Sequence, residues 1–519
     1  MLRQARPPLN VAVIGAGIAG LCAAAELRAA GCEVTLFERA AFVGGKMRRI
    51  ACADHPDPAD GGPTVLTLRD VFERVFDALG ARLAERVELR PLSVLARHAW
   101  CEGGRLDLYA DVAQSADAIR ALAGQAEADG YLRFCRDSQR AFTTLDRSFM
   151  QRPAPSLPGL IMGAGLQGLP DLLRLRAFQS LWQALGSYFR DPRLRQLFGR
   201  YATYCGSSPF EATATLMLVA HVEQCGVWQV AGGMHRLADA LQSLLRDRGV
   251  EVRCGLSVAR IELAKRGVAA VQTEDGERRR VDAVVATCDA NALAAGLLGR
   301  AVRSAAAVVP LRRRSLSAMT WVGTAVPAGF DLHHHNVFFC DDYRAEFDCL
   351  MRERRMPQSP TVYICAQDRS DTPAQSDKPE RLLCLINAPP TGDRYPFDEP
   401  EIDRCLTAMR STLARCGLRL PPGTSTLTCT TPKDFHALFP GTGGALYGPS
   451  SHGWRASFLR PGVRTRIRGL YLAGGSVHPG PGLPMAALSG RQAAQCLLHD
   501  LASMHQWAPM ATAGGISMR

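Results

Sequence analysis

The sequence predicts an α/β protein whose central parallel sheet is assembled from three separated stretches of chain, and three observations carry that prediction. A β-branched run, a glycine-rich turn, an Ala/Leu-rich helix and a second strand follow one another within the first forty residues. Apolar strand patterns recur at 281–287 (VDAVVAT) and at 469–473 (GLYLA). Between these pieces the texture changes: 81–225 reads as mostly helical, and 301–435 is rich in short strands. The chain has 519 residues, well beyond the ~100–200 of one domain. The expected organisation is a discontinuous nucleotide-binding-type domain from 1–80, 226–300 and 436–500. Into it are inserted a helical region (81–225) and an α+β region (301–435), with 501–519 as a tail.

The first element is the run 11–14, which feeds Gly15-Ala16-Gly17-Ile18-Ala19-Gly20, a G-x-G-x-x-G string. A helix follows from about Leu21 to Ala30; Gly31 stops it, and 34–37 forms the second strand, ending at Glu38. Placed between a strand and a helix, with an acidic residue eighteen positions after Gly20, this string is a Rossmann-like dinucleotide fingerprint. Gly15 permits the tight turn, Gly17 lets backbone approach a pyrophosphate, and Gly20 lets helix and strand pack closely. The helix N-terminus offers unpaired N–H groups to phosphate, and Glu38 is placed to accept from a ribose.

Next come Gly44-Gly45-Lys46-Met47-Arg48, where a glycine pair allows close backbone approach and Lys46 or Arg48 offers charge to phosphate. Asp60-Gly61-Gly62-Pro63-Thr64 is a second constrained turn before a helix with apolar Val71, Phe72, Val75, Phe76 and Leu79. Gly232-Gly233 opens a helix over 235–246, followed by a strand pair, 250–253 and 258–262. Further strands are expected at 336–340 and 361–365. The string 474–485 (GGSVHPGPGLPM) precedes a last helix, from about Pro484 to Leu498. A helix N-terminus there, aimed at the pyrimidine edge of a flavin, would stabilise an anionic reduced ring. Nicotinamide-dependent dehydrogenases need no such third element, so the expected cofactor is FAD.

The net charge of +12 favours anionic surfaces, but the arginine runs 278–280 and 312–314 are short and carry no aromatic ladder, so nucleic acid is not an expected partner. Seventeen cysteines are scattered without a C-x-x-C pair, which suits neither a zinc site nor a disulfide framework and points to reduced thiols in a cytoplasmic protein. The stretch 153–170 has no charged residue, yet four prolines and four glycines should break a spanning helix. It is read either as a surface patch that dips into lipid or as an apolar interdomain loop.

With these strings in hand, the chain resembles the carotenoid desaturases of the phytoene desaturase type, within the amine-oxidase-like flavoproteins. The strings that carry the resemblance are VIGAGIAGL (13–21), FVGGKMR (42–48), DGGPTVLTLR (60–69), YATYCGSSPFEA (201–212), GGMHRLADAL (232–241), HHHNVFF (333–339) and YLAGGSVHPGPGLPMAALSGRQAA (471–494). They span nearly the whole chain. GGKMR, GPTVLTLR and GGSVHPGPGLPMAALSG are most similar to the 1-hydroxycarotenoid 3,4-desaturases. Lys46 departs from the arginine that much of the superfamily carries after the glycine pair. The resemblance implies an FAD-binding domain of the amine-oxidase/glutathione-reductase type and a substrate that is an acyclic carotenoid with a 1-hydroxyl or 1-methoxyl group. It also implies a new C-3,4 double bond, Val258 near the adenine and Met485 under the flavin. The expected cofactor contacts are then Gly15, Gly17, Ile18, Ala19, Gly20, Glu38, Arg39, Gly45, Lys46, Met47, Gly62, Pro63, Thr64, Val258, Gly474, Gly475, Pro484 and Met485.

Hydride loss next to a polyene leaves charge that the conjugated chain itself delocalises, so positioning in an apolar tunnel matters more than strong acid–base help. No proton acceptor is identified; His478 is a weak catalytic candidate, and Tyr201 and Tyr204 are possible tunnel walls. His333, His334 and His335 are adjacent, and alternation along a strand should keep them from sharing one ion, so no metal is expected. The electron acceptor, oxygen or a membrane quinone, is left open. A lipid-soluble substrate implies exchange at the inner membrane by a protein that touches the bilayer without spanning it. The rival readings are a phytoene desaturase or carotene isomerase of the same fold, a flavin amine oxidase, and a non-enzymatic lipid carrier.

Overall fold

The computed structural model describes residues 8–265, 267–370, 378–421 and 425–506. Strand β1 (Asn10–Ile14), helix α1 (Ile18–Ala29) and strand β2 (Glu33–Glu38) form the expected βαβ start. The central sheet has five strands, all parallel. In spatial order they are Leu470–Leu472, Ala283–Ala286, β1, β2 and Glu251–Cys254. β1 lies at its centre, with Val13 opposite both Leu36 and Val285. Strands buried on both faces read as continuous apolar runs, which is why 281–287 and 469–473 were legible as strands. The strand pair expected from 250–253 and 258–262 is not a pair. Glu251–Cys254 extends the parallel sheet beside β2, whereas Val258–Ala264 begins a separate antiparallel meander with Gly267–Thr273 and Arg278–Arg280.

Small residues set the packing of the first helix. Its alanines 23–25 are fully buried, and a Cβ at Gly20 would overlap the Gly15 carbonyl oxygen. On the other side the C-terminal helix Leu483–Gln506 crosses so closely that a Cβ at Gly490 would overlap the Ala19 carbonyl oxygen. Both contacts hold α1 between the sheet and its neighbour helix, so that its N-terminus stays fixed at the top of β1.

A second, seven-stranded sheet runs Ser425–Thr430, Ser317–Ala325, Glu380–Ala388, Val362–Ala366, His335–Phe339, Val94–Trp100, Arg105–Tyr109. Neighbours are antiparallel except Val94–Trp100 with His335–Phe339, which are parallel. The regions 81–225 and 301–435 meet in this sheet: the hairpin 94–109 of the first extends the strands supplied by 317–430. The helices of the first, Gln125–Leu145 among them, share a core with this sheet through Phe134, Phe189, Phe198 and Phe339.

The uncharged stretch also differs from expectation. Most of it lies in a helix, Leu157–Arg174, capped by Ser156 with Pro158 in the first turn and interrupted at Gly165, whose φ of 64° lies in the left-handed region. Proline at the start costs a helix nothing, because that N–H has no intrahelical partner. Among the described residues, no helix is long and apolar enough to cross a membrane.

Candidate active site

A single cavity of about 910 Å³ runs from the first βαβ turn into the space between the two sheets. At one end it is lined by Gly15, Gly17, Ile18, Ala19, Glu38 and Arg39. Gly17 is the N-cap of α1 and no side chain caps the helix, so its first N–H groups face the cavity without a side-chain acceptor. Thr287 braces the turn, its hydroxyl donating to Gly15 O (2.8 Å) and lying 3.0 Å from Ile14 O. Glu38 Oε2 accepts from Ala16 N at 2.7 Å and Oε1 from Ala40 N at 2.8 Å, which fixes the carboxylate beside the turn with lone pairs to spare.

The glycine pair at 44–45 closes the other side of this cleft. Gly17 and Gly44 form an isolated parallel bridge, and a Cβ at Gly45 would lie 3.0 Å from Gly17 Cα. A Cβ at Gly17 itself would meet nothing nearer than Gly45 Cα, at 3.9 Å, so the space beyond it belongs to the cavity. The uncapped helix end and a cleft walled by glycine backbone fit the diphosphate of FAD.

Further along, Lys46 and Met47 join the wall, with Gly62, Pro63 and Thr64. A Cβ at Gly62 would overlap the Lys46 carbonyl oxygen, so the 44–48 and 60–64 turns pack against each other only because that residue is glycine. Asp60, buried, does not face the cavity. It accepts from Met234 N (2.6 Å) and contacts His235 Nδ1 (3.2 Å), capping the helix His235–Asp247. Lys46 donates to Leu446 O and lies over the Phe439 ring, while Arg48 bonds Thr430 Oγ1 and lies over Phe435. Burial lowers the pKa of both cations. Their charge is thus directed to the far wall in this structure. Val258, Gly474, Gly475, Pro484 and Met485 also line the cavity. Of the expected cofactor contacts only Gly20 is outside it, and that residue does the packing expected of the third glycine.

His478 is not a cavity residue. It is fully buried, donates from Nε2 to Phe149 O at 3.0 Å and meets the Phe149 ring edge-on. Burial, with Arg460 assisting, pushes its pKa down to about 4, so the imidazole is neutral and ties the 474–485 loop to the turn at 149. The histidine run also departs from expectation. His333 turns to Asp107, but His334 and His335 do not diverge: their rings meet at 4.5 Å, and with Cys365 they bring three ligand-type atoms within 4.8 Å. The strand begins only at His335, so strand alternation does not govern His334. His334 Nδ1 donates to Arg369 O (2.9 Å) and His335 Nδ1 pairs with Tyr363 Oη (2.8 Å), a structural use of both rings.

Most of the remaining wall is apolar: Phe142, Leu145, Phe149, Leu160, Leu175, Leu216, Val219, Leu383 and Leu385 enclose a channel leading away from the 60–64 turn. Tyr204 lines it as expected; Tyr201 sits behind, its hydroxyl on Glu223. Arg200, Glu223 and Tyr363 line the channel too, and the sequence reading missed all three. The signal for Glu223 is weak: a lone carboxylate after the mostly apolar stretch 216–222, eighteen residues beyond YATYC.

The match to known proteins covers the chain. The model of the flavin containing amine oxidoreductase family matches residues 18–498. A hydroxyneurosporene desaturase of Rubrivivax gelatinosus is 49% identical over 511 residues, spanning 98% of this chain and 97% of that protein. One of Cereibacter sphaeroides is 43% identical over 502 residues, 97% and 99% of the two chains. Among solved structures, cyclohexylamine oxidase from Brevibacterium oxydans superposes with a TM-score of 0.59 at 16% identity, covering 96% of this chain and all of that one, a likeness of fold.

Proposed function

This chain belongs to the flavin-containing amine oxidoreductase family and within it to the hydroxyneurosporene desaturases, and from that premise we propose that it introduces the C-3,4 double bond of an acyclic 1-hydroxy- or 1-methoxycarotenoid such as 1-hydroxyneurosporene. The observation that carries the reading is one cavity that joins a glycine-walled diphosphate cleft to a long apolar channel. FAD, when bound, supplies the acceptor for the hydride and its two electrons. The chain supplies the rest. The α1 N-terminus and the Gly17 and Gly45 backbone hold the diphosphate, Glu38 the ribose, and the 62–64 and 474–485 loops the ring system. Leu216, Val219, Leu383 and Leu385 hold the polyene extended, so that hydride leaves from a fixed carbon and the second hydrogen passes as a proton to a weak base or a water molecule.

The test is a product assay with the flavoprotein, liposomes and 1-hydroxyneurosporene. We expect a red-shifted absorption spectrum and a product lighter by two hydrogens. Conversion of phytoene instead, with 1-hydroxyneurosporene untouched, would overturn the substrate and leave the flavin chemistry standing.

The reading extends to a lipid surface. The helix Leu157–Arg174 contributes Leu160 to the channel wall and turns Leu157, Ile161 and Met162 outward, Met162 being 76% exposed. Close by, Phe178 is 82% exposed and stacks edge-on with Trp454, beneath which Arg455 lies. Apolar side chains and a cation at the channel end suit entry of substrate from an anionic bilayer. A Met162→Glu/Phe178→Glu variant should float with anionic liposomes several-fold less than wild type, keep its flavin, and stay active on detergent-dispersed substrate. Unchanged flotation would remove this face from the bilayer. The electron acceptor of the reaction would be a membrane quinone or oxygen.

A further inference from the structure

The channel wall carries a charged pair, Arg200 and Glu223, that the proposed reaction does not use. Along the part walled by residues 142–223 and 343–387, Arg200 and Glu223 are the charged side chains among the described residues. Glu223 projects from the short helix Leu218–Gln224, whose Leu218, Val219 and Val222 also line the channel. Its carboxylate accepts from both tyrosines of the YATYC string, Tyr201 Oη to Oε2 at 2.7 Å and Tyr204 Oη to Oε1 at 2.6 Å. Arg200 donates to Tyr204 Oη at 3.3 Å. Burial raises the Glu223 pKa, opposed by the two tyrosine hydroxyls and Arg200.

The group lies next to the cofactor end of the channel. The Arg200 guanidinium sits 5.4 Å over the Tyr363 ring, and the Tyr363 hydroxyl is 2.7 Å from Thr64 Oγ1 in the 60–64 turn. That placement matches the chemistry of the substrate. In a carotenoid desaturated at C-3,4 the oxygen of the 1-hydroxyl is three bonds from C-3, so it lies within roughly 4 Å of that carbon and the groups that hold it within roughly 7 Å, by ordinary bond and hydrogen-bond lengths. A hydroxyl needs one acceptor and one donor. A carboxylate and a guanidinium on one wall provide both, since each has hydrogen-bonding capacity beyond its tyrosine partners, and an end group without oxygen would leave that remaining capacity desolvated and unused.

We infer that Glu223 and Arg200, bridged by Tyr204, form the subsite that recognises the tertiary 1-hydroxyl and thereby fixes which carbons face the flavin. The inference rests on the desaturase reading above and adds the residues that set end-group specificity. A 1-methoxyl keeps the acceptor oxygen for Arg200 and loses the donor to Glu223, so it should be the poorer of the two oxygenated substrates. Discrimination at a site built around a hydroxyl is typically large, because the missing bond strands the site's own polar groups.

The experiment measures kcat/KM of the flavoprotein for 1-hydroxyneurosporene and for neurosporene, which lacks the hydroxyl. We expect wild type to prefer the hydroxylated substrate by about 100-fold or more. Glu223→Gln should reduce that preference at least about tenfold while flavin content is unchanged. Tyr204→Phe, which removes one oxygen atom, should reduce it in the same direction and carries the test if Glu223→Gln fails to fold. A purely structural role would lower both kcat/KM values together and leave their ratio fixed; that outcome overturns the subsite. Equal turnover of both substrates by wild type also overturns it while sparing the desaturase reading, and turnover of neither overturns both.

Discussion

A Gly17→Val variant should fold and purify colourless, whereas a Gly20→Ala variant should be destabilised. The two glycines are three residues apart in one motif, yet their surroundings are opposite. Gly17 has φ −68° and ψ 174°, extended backbone that any residue adopts, and its Cβ position opens toward the cleft. A valine there costs the fold little but fills the space in which the diphosphate meets the α1 N–H groups. Loss of that approach should weaken FAD binding at least ~100-fold, about 3 kcal/mol. Gly20 faces inward, against the Gly15 carbonyl oxygen. An alanine there must push helix from strand, an overpacking change worth about 1–3 kcal/mol. Flavin absorbance relative to protein, with urea unfolding of each variant, separates the two. A yellow Gly17→Val protein with stoichiometric flavin would move the phosphates away from α1.

What was legible in the sequence was local. β1, α1 and β2 follow from short-range pattern and from glycines whose spacing has one steric explanation. The 474–485 loop was legible for the same reason. What was not legible depended on contacts distant in sequence. Nothing in VLARHAW (94–100) announces a parallel partner at 336–339, some 240 residues away. The strand Glu251–Cys254 reads as one of a pair with its sequence neighbour, but its partner is β2, in parallel register Thr35 to Glu251 through Glu38 to Cys254. Proline and glycine argue against a spanning helix over 153–170, and the helix there is interrupted at Gly165; the short helix itself was not legible, because Pro158 falls in the first turn, where proline is tolerated. His478 drew notice by its place beside a glycine-rich loop, while Glu223, 19 and 22 residues from the tyrosines it binds, had no motif to mark it. Pockets collect side chains by three-dimensional proximity, and sequence spacing records only those that share a helix face or a turn.

Acid should destabilise this protein well above the range in which its carboxylates titrate. Burial pushes His98 down to about 3, with Arg200 adding to it, and His478 down to about 4. Burial also lowers His334, and lowers His335 well below its usual value, with His334 and Arg200 as further causes. These four imidazoles stay neutral in the folded chain while the unfolded chain protonates them near pH 6.5. Their contribution is therefore complete above ~6.5 and is lost as pH falls, continuing to about 4 for His478 and about 3 for His98. Each group sets a slope of up to ~1.4 kcal/mol per pH unit. Glu223 and Glu346 act oppositely: burial raises both, so the folded chain takes their protons first and gains stability as pH falls. Asp107 and Asp368, held below the usual carboxylate range by Arg97 and Arg381 against the cost of burial, lose their contribution only below ~3.8 and stay outside this window. His98 and His478 alone set a loss of roughly 2–3 kcal/mol per unit between pH 6 and 5; His221, His334 and His335 add to it, and Glu223 and Glu346 oppose it. Urea midpoints at pH 7, 6 and 5 should fall accordingly, and His98→Gln should flatten the slope by about one proton. A midpoint that held constant across that range would mean that these imidazoles are protonated in the folded chain, and would place water or a carboxylate beside rings that the core surrounds with apolar groups.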